Sequence, residues 1–156
     1  MEDTLFTGER IIVNRLPVTA KAVAGQKYMP ARGNIIVFKN PQFQPGKSDE
    51  YIVKRVIGLP GEHVTLHDCT VKVYNDENPD GFNPYMNFKN LSDKEACVSG
   101  DEIDRTVGSD EIFVIGDHRT GQHSLDSRNG LGNIPLEDIV GPVGMRIWPL
   151  NKWQFY

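Results

Sequence analysis

Long hydrophobic runs are missing from this sequence of 156 residues. Its longest apolar stretches are pieces such as NIIVF and IFVIG, far short of the roughly 18 residues that a membrane-spanning helix needs. The first 15 residues are mixed and charged, so we expect no secretory signal peptide within them. The net charge is −4, and no basic stripe with interleaved aromatic residues is present. We therefore expect a soluble globular domain with no nucleic-acid partner.

Cysteine is scarce, since the sequence has only Cys69 and Cys97. With His63 and His67 they could offer nitrogen and thiolate ligands to zinc, but their spacing fits no standard zinc motif, so we expect no metal site. A disulfide between the two cysteines fits better if the domain lies outside the cytoplasm, and it would stabilise the fold by roughly 3 to 4 kcal/mol. Two reduced, unpaired thiols are the alternative.

Long helical patterns are also few. The 15 Gly and 10 Pro separate short stretches rich in Val and Ile, which favours β-strands over long helices. A three-residue segment, His67 to Cys69, is short enough to turn a hairpin. The predicted strands are Arg10–Asn14, Asn34–Phe38, Tyr51–Ile57, His63–Leu66, Thr70–Val73, Glu111–Ile115 and Ile139–Ile147. We expect a mainly antiparallel β-fold.

Charge is distributed unevenly along the chain. Residues 74–111 hold ten acidic and three basic side chains, whereas the rest of the chain holds 11 acidic and 14 basic ones. Within it, residues 75–105 are polar, rich in turn-forming residues and weakly periodic, which indicates an irregular excursion. We therefore predict a catalytic β-core from residues 1–62 and 108–156, with an inserted cap subdomain at residues 63–107.

The last 18 residues, IVGPVGMRIWPLNKWQFY, contain no acidic side chain and two basic ones. Their four aromatic residues are Trp148, Trp153, Phe155 and Tyr156. Such a segment suits a membrane interface. Packing of the same rings in the protein core is the alternative.

Lys54, in the strand of YIVKRVIGLPGE, is the first candidate for chemistry. The alternation of a strand places Ile52, Lys54 and Val56 on one face. A lysine between two branched aliphatic side chains loses hydration, which disfavours its charged form and lowers its pKa. Lys54 is therefore a candidate general base. The alternative is an edge strand whose Lys54 and Arg55 extend into water.

A second candidate lies in EIFVIGDHRTGQHSLDSRNG, where an apolar strand ends at a glycine. The residues that follow that strand include Asp117, Arg119, Ser124, Asp126 and Arg128. Charged pairs and a hydroxyl at a strand end can fix a site loop by charge-assisted hydrogen bonds. The same residue types are typical of an ordinary turn, which is the alternative.

Together these motifs resemble the bacterial type I signal peptidases, a family of serine proteases with a Ser/Lys dyad. The lysine strand with GLPG, the strand ending in GDHR and the run SLDSR follow the family's order, and the opening MEDTLFTGER is similar to its first motif from the methionine onward. The resemblance places the nucleophilic serine immediately before Met1, and no serine precedes Ser48. We therefore expect the chain as written to be truncated just after the nucleophile, and to be inactive.

The resemblance also implies a role for individual residues. Lys54 would be the general base, and Ser124 and Asp126 would orient it. The structural ion pairs would be Asp126 with Arg128 and Arg55 with Asp117. The substrate pocket would be lined by Met1, Leu5, Ile52 and Val53. No cofactor is implied.

The implied function is that of a signal peptidase I catalytic domain, which cleaves exported preproteins after small residues. It implies a place at the bacterial cell membrane, on the extracytoplasmic side, with the apolar rim and the aromatic C-terminal tail against the membrane surface. One rival is a catalytically degenerate relative that binds preproteins or assembles surface polymers. Another is a self-cleaving repressor protease, a class that shares a related β-core but lacks the GLPG and GDxR pair.

Overall fold

A computed structural model of the chain describes residues 1, 4–86, 88, 102–118 and 124–156. Strands account for 42% of the structure and helices for 10%. In the described residues, all neighbouring strands are paired antiparallel. The predicted mainly antiparallel β-fold is confirmed.

The first sheet carries the residues of greatest interest. With strands numbered along the chain, it contains β1 (Arg10–Val13), β2 (Ile35–Lys39), β3 (Tyr51–Gly58), β8 (Glu111–Ile115), β9 (Ile134–Pro135), β10 (Ile139–Trp148) and β11 (Gln154–Phe155). Their spatial order is β1-β10-β2-β3-β8-β9, and β11 pairs with β10. All five strands predicted in this sheet are present, and β3 lies in its interior.

The second sheet lies between β3 and β8 in the sequence. It contains β4 (His63–His67), β5 (Thr70–Asn75), β6 (Asn78–Phe82) and β7 (Ile103–Thr106), in the order β6-β5-β4-β7. Asp68 and Cys69 form the predicted hairpin turn, with φ of 46° and 60°. The expectation of irregular structure was wrong for β6 and β7. β6 tolerates Pro79 because an edge strand needs only one row of backbone hydrogen bonds.

Helical structure is confined to short segments in the described residues. These are α1 (Leu16–Val23) and two 3₁₀ turns, Leu136–Asp138 and Leu150–Lys152. No residue of α1 is fully buried, although Val18 packs against a hydrophobic cluster. The helix has only eight residues, which is too short for its periodicity to be recognised in the sequence. None of the helices in these described residues is both long and apolar enough to cross a bilayer.

One hydrophobic cluster joins the two sheets. Ile57, Phe113 and Ile115 of the first sheet pack with a set of aliphatic side chains from the second, including Val64 and Val73. Along the sequence, the second sheet begins and ends near residues 62 and 107. Its side chains nevertheless share a hydrophobic core with those of the first sheet. The division into a catalytic core and an inserted cap stays a prediction.

Candidate active site

The candidate site lies along β3, at the point where its pairing changes. β3 pairs with β2 from Tyr51 to Arg55 and with β8 from Arg55 to Gly58. Within the described residues, the segment from Tyr51 to Lys54 has no strand on the β8 side. This half of β3 therefore presents an open backbone edge.

Lys54 stands on this segment and is 8% exposed. Its neighbours Ile52 and Val56 belong to a hydrophobic cluster on one face of the sheet, as the alternation of the strand requires. Burial lowers the pKa of Lys54; the charges of Asp126 and Asp117 oppose that effect, and the net direction is downward. In the described structure, no hydrogen bond or ion pair holds the Lys54 amine.

The SLDSR segment forms a buried turn against the end of β8. The Asp126 carboxylate is fully buried and accepts hydrogen bonds from the Gly116 backbone N–H at 2.9 Å and the Arg128 backbone N–H at 3.0 Å. It also pairs with the Arg128 guanidinium, at 3.0 and 2.8 Å. Ser127 Oγ accepts a hydrogen bond from the Val114 backbone N–H at 2.9 Å. These contacts fix the turn next to the interior strands.

Ser124 is 3% exposed and lies over Gly116. A Cβ added at Gly116 would collide with the Ser124 hydroxyl, and it would also lie 3.5 Å from Asp126 Oδ2. Among the described residues, Ser124 Oγ has no hydrogen-bond partner. A buried hydroxyl without a partner is costly, which marks Ser124 as a group available to a further hydrogen bond.

Asp117 connects three distant parts of the chain. Its carboxylate oxygens accept hydrogen bonds from Arg55 Nε at 2.8 Å and Arg55 Nη2 at 2.6 Å. The Arg55 Nη1 group donates to the Gly33 carbonyl at 2.8 Å. The Thr4 hydroxyl donates a further hydrogen bond to Asp117. The strand that carries Lys54 is thereby tied to the N-terminal segment.

A cavity of about 590 Å³ lies along the open edge of β3. Lys54 and Leu125 line it, so the lysine strand and the SLDSR segment meet there. The four residues expected in the substrate pocket also line it: Met1, Leu5, Ile52 and Val53. Leu5 is buried and Met1 packs against its cluster. The N-terminal segment and β3 therefore line one cavity, and Val53 packs against the same cluster as Met1 and Leu5.

Other candidate residues lie elsewhere. Cys97 is outside the described residues, so its pairing with Cys69 stays a prediction. His63 Nε2 lies 3.3 Å from Asp104, whereas His67 Nε2 lies 3.6 Å from Glu102. In the parts of the chain that the structure describes, no three His, Cys, Asp or Glu side chains are placed to hold a metal ion.

Sequence reasoning did not find two contributors to the site. Gly116 gives Ser124 its space, and the glycine of the GDHR motif was read only as a strand end. Thr4 reaches Asp117 across 113 positions in the sequence. No local pattern signals so distant a contact.

Comparison with known proteins identifies the family. A family model described as signal peptidase, peptidase S26, matches residues 1–148. The chain belongs to this family. It is 37% identical to a signal peptidase I P of Bacillus subtilis subsp. natto, over 97% of this chain and 74% of the relative. It is 33% identical to signal peptidase IB of Staphylococcus aureus (strain MRSA252), over 99% of this chain and 76% of the relative.

Among solved structures, a crystal structure of a signal peptidase I from Enterococcus faecalis V583 has a TM-score of 0.48 and 25% identity. The match covers 72% of this chain and 95% of that one. The resemblance predicted from the motifs is confirmed by the family match. The chain is a signal peptidase I-like domain of a serine peptidase family, which is anchored in bacterial membranes and acts on preproteins that carry signal peptides.

Proposed function

We propose that this signal peptidase I-like domain cleaves exported preproteins by nucleophilic catalysis, with Lys54 as the general base. The observation that carries the proposal is the burial of Lys54, which is 8% exposed and lines the same cavity as Met1. Burial lowers its pKa, and only a neutral amine can accept a proton. A domain that merely binds preproteins has no need of such a group.

The proposed nucleophile is a serine immediately before Met1 in the full protein. Its Oγ would bond to the scissile carbonyl carbon while Lys54 Nζ takes the hydroxyl proton. Lys54 would then give that proton to the nitrogen of the leaving peptide as the C–N bond breaks. A water molecule, deprotonated by the same amine, would hydrolyse the acyl-enzyme and restore the serine. The position of Met1 in the cavity wall supports this assignment.

Ser124 and Asp126 are proposed to orient Lys54. The Ser124 hydroxyl is buried and has no partner among the described residues, so it can accept or donate a hydrogen bond at the site. Asp126 lies close enough for its charge to oppose the lowering of the Lys54 pKa. Its four hydrogen bonds from Gly116 and Arg128 keep that carboxylate in place.

The substrate is proposed to bind as an extended peptide along the open edge of β3. Leu5, Ile52 and Val53 line the cavity there, which suits small side chains before the cleaved bond. The exposed aromatic rings of the C-terminal segment support contact with a membrane surface. Trp148 is 48% exposed, and Trp153 and Phe155 are each 64% exposed, which disfavours their alternative role as core residues.

The test places a serine immediately before Met1, tethers the domain to a bilayer and measures cleavage of a preprotein. We expect cleavage, and a loss of about a thousandfold or more in Lys54→Ala. Lys72→Ala, which changes an exposed lysine of β5, is the matched control and should keep full activity. Activity that persists in Lys54→Ala would remove Lys54 from the mechanism. Preprotein binding without cleavage by the serine-bearing parent would favour the degenerate, non-enzymatic relative.

A further inference from the structure

The N-terminal turn, made of Met1, Thr4 and Leu5, is held by contacts from both ends of the chain. Its own hydrogen bonds run to the Met1 carbonyl from the backbone N–H groups of Thr4, at 3.1 Å, and Leu5, at 2.9 Å. The Thr4 carbonyl accepts two further hydrogen bonds, from Arg146 Nη1 at 3.3 Å and from the Tyr156 hydroxyl at 3.0 Å. Two donors from the C-terminal part of the chain thus meet at one carbonyl.

Arg146 and Tyr156 are themselves fixed. The Arg146 guanidinium pairs with the Glu9 carboxylate at 3.0 and 3.1 Å and donates to Gln154 Oε1 at 3.1 Å. Both members of the Arg146–Glu9 pair are largely buried. The Tyr156 backbone N–H donates to the Gly144 carbonyl at 3.1 Å. Tyr156 is therefore held to β10 through its backbone N–H and to the N-terminal turn through its side-chain hydroxyl.

We propose that Tyr156 is a positioning residue for peptide cleavage, because its hydroxyl holds the N-terminal turn so that the residue before Met1 faces Lys54. This inference rests on the proposed function, in which that residue is the nucleophile. Tyr156 itself lies beyond residue 148, where the family match ends, whereas the N-terminal turn and Arg146 lie within that match.

A shift of the N-terminal turn would directly change the position of the proposed nucleophile. Met1 is the first residue of the turn and lines the same cavity as Lys54, so a shift of the turn moves the proposed nucleophile relative to its base. Misplacement by about 1 Å can cost a hundredfold in rate. Loss of one of several contacts allows a smaller shift, and we expect about a three- to tenfold loss of kcat.

Burial also raises the pKa of Tyr156, which supports a phenol that keeps its proton and remains a donor in mildly alkaline solution. The charges near this group are the Arg146–Glu9 and Arg55–Asp117 pairs, and each pair contains one charge of each sign. Tyr156 is not among the groups that shift the pKa of Lys54, so removing its hydroxyl should leave the titration of Lys54 unchanged. A positioning role predicts the same fold loss across the pH profile.

The kinetic experiment uses the chain with a serine before Met1. Tyr156→Phe should lower kcat about three- to tenfold and leave KM and the pH profile unchanged. The matched control is Tyr74→Phe, which removes a hydroxyl from a half-buried tyrosine of β5 in the second sheet and should keep the parental kcat. Equal kcat values in Tyr156→Phe and the parent would overturn the proposal.

Amide hydrogen exchange separates this inference from the proposed function, because it needs no activity and uses the chain as it stands. The Thr4 and Leu5 amides should exchange faster in Tyr156→Phe, while the Val114 amide of β8 should not change. Unchanged exchange at Thr4 and Leu5 would also overturn the proposal. If the serine-bearing parent cleaves nothing, the proposed function fails, and the exchange rates alone decide whether Tyr156 holds the turn.

Discussion

The site region and the second sheet both contain ion pairs, but they bury them to different extents. In the Arg128–Asp126 pair near the site, the two side chains are 7% and 0% exposed. In the His67–Glu102 pair of the second sheet they are 70% and 74% exposed. An exposed pair contributes at most about 1 kcal/mol, whereas breaking a buried pair leaves an uncompensated charge. Burial, and not the presence of charge, distinguishes the residues that build the site.

The two regions also differ in what their polar contacts connect. The pairs of the second sheet link side chains within one hairpin or on adjacent strands, such as His63 of β4 and Asp104 of β7. Asp117 instead joins β3 to the N-terminal turn, and Arg146 joins β10 to the same turn. The site thus depends on contacts between distant segments of the sequence.

The pH dependence of cleavage gives the largest expected effect. Burial lowers the pKa of Lys54 from its ordinary value of 10.5, and the protonated form cannot act as a base. In the serine-bearing protein, kcat/KM should therefore rise with pH up to the lowered pKa, by about tenfold for each pH unit. Titration of the Lys54 ε-methylene group by NMR, assigned with Lys54→Met, should show the same midpoint. A midpoint at or above 10.5 would contradict the burial of a neutral base.

Removal of a buried charge should show the next largest effect. Asp117→Asn leaves the mostly buried Arg55 without its counter-charge, so the free energy of unfolding should fall by about 3 kcal/mol. The control Asp104→Asn removes the 83%-exposed partner of His63 and should cost less than about 1 kcal/mol. Urea denaturation measures both. Equal losses of unfolding free energy in the two variants would show that burial of the ion pairs does not distinguish the site from the second sheet.

Much of the site could be predicted from short-range patterns. The alternation of β3 placed Lys54 beside Ile52 and Val56, and the strand boundaries were correct to within one or two residues, because both depend on local periodicity. The β6 strand was missed because Pro79 and Gly81 are typical of loops. The Thr4–Asp117 contact could not be predicted, since only the tertiary fold brings those segments together.

The space that Gly116 leaves for Ser124 gives a prediction with a smaller expected effect. Gly116→Ala would place a methyl group against the Ser124 hydroxyl, which should cost about 1 to 3 kcal/mol of stability or displace Ser124 and lower activity about tenfold. Gly144→Ala is the matched control, because a Cβ there meets no atom closer than 3.8 Å. Melting temperatures and cleavage rates of both variants provide the measurement. Full activity and stability in Gly116→Ala would show that Ser124 needs no such space.

The smallest expected effect concerns Glu62, which lies at the junction of the two sheets. Burial alone would raise its pKa, but the hydrogen bonds from Arg32, Asn75 and the Leu59 backbone N–H, with the charge of Arg32, lower it overall. The stabilisation is therefore present above the unfolded-state pKa of 4.5, and it is lost as the pH falls through the lowered pKa of the folded state.

Glu62→Gln should accordingly destabilise the protein by about 1 kcal/mol at neutral pH, and the difference from the parent should shrink in acid. The control Glu77→Gln changes an exposed turn residue and should give no such pH-dependent difference. Urea denaturation at a series of pH values measures both. A Glu62→Gln deficit that stays constant down to the acid limit would mean that packing, and not the carboxylate charge, joins the two sheets at this point.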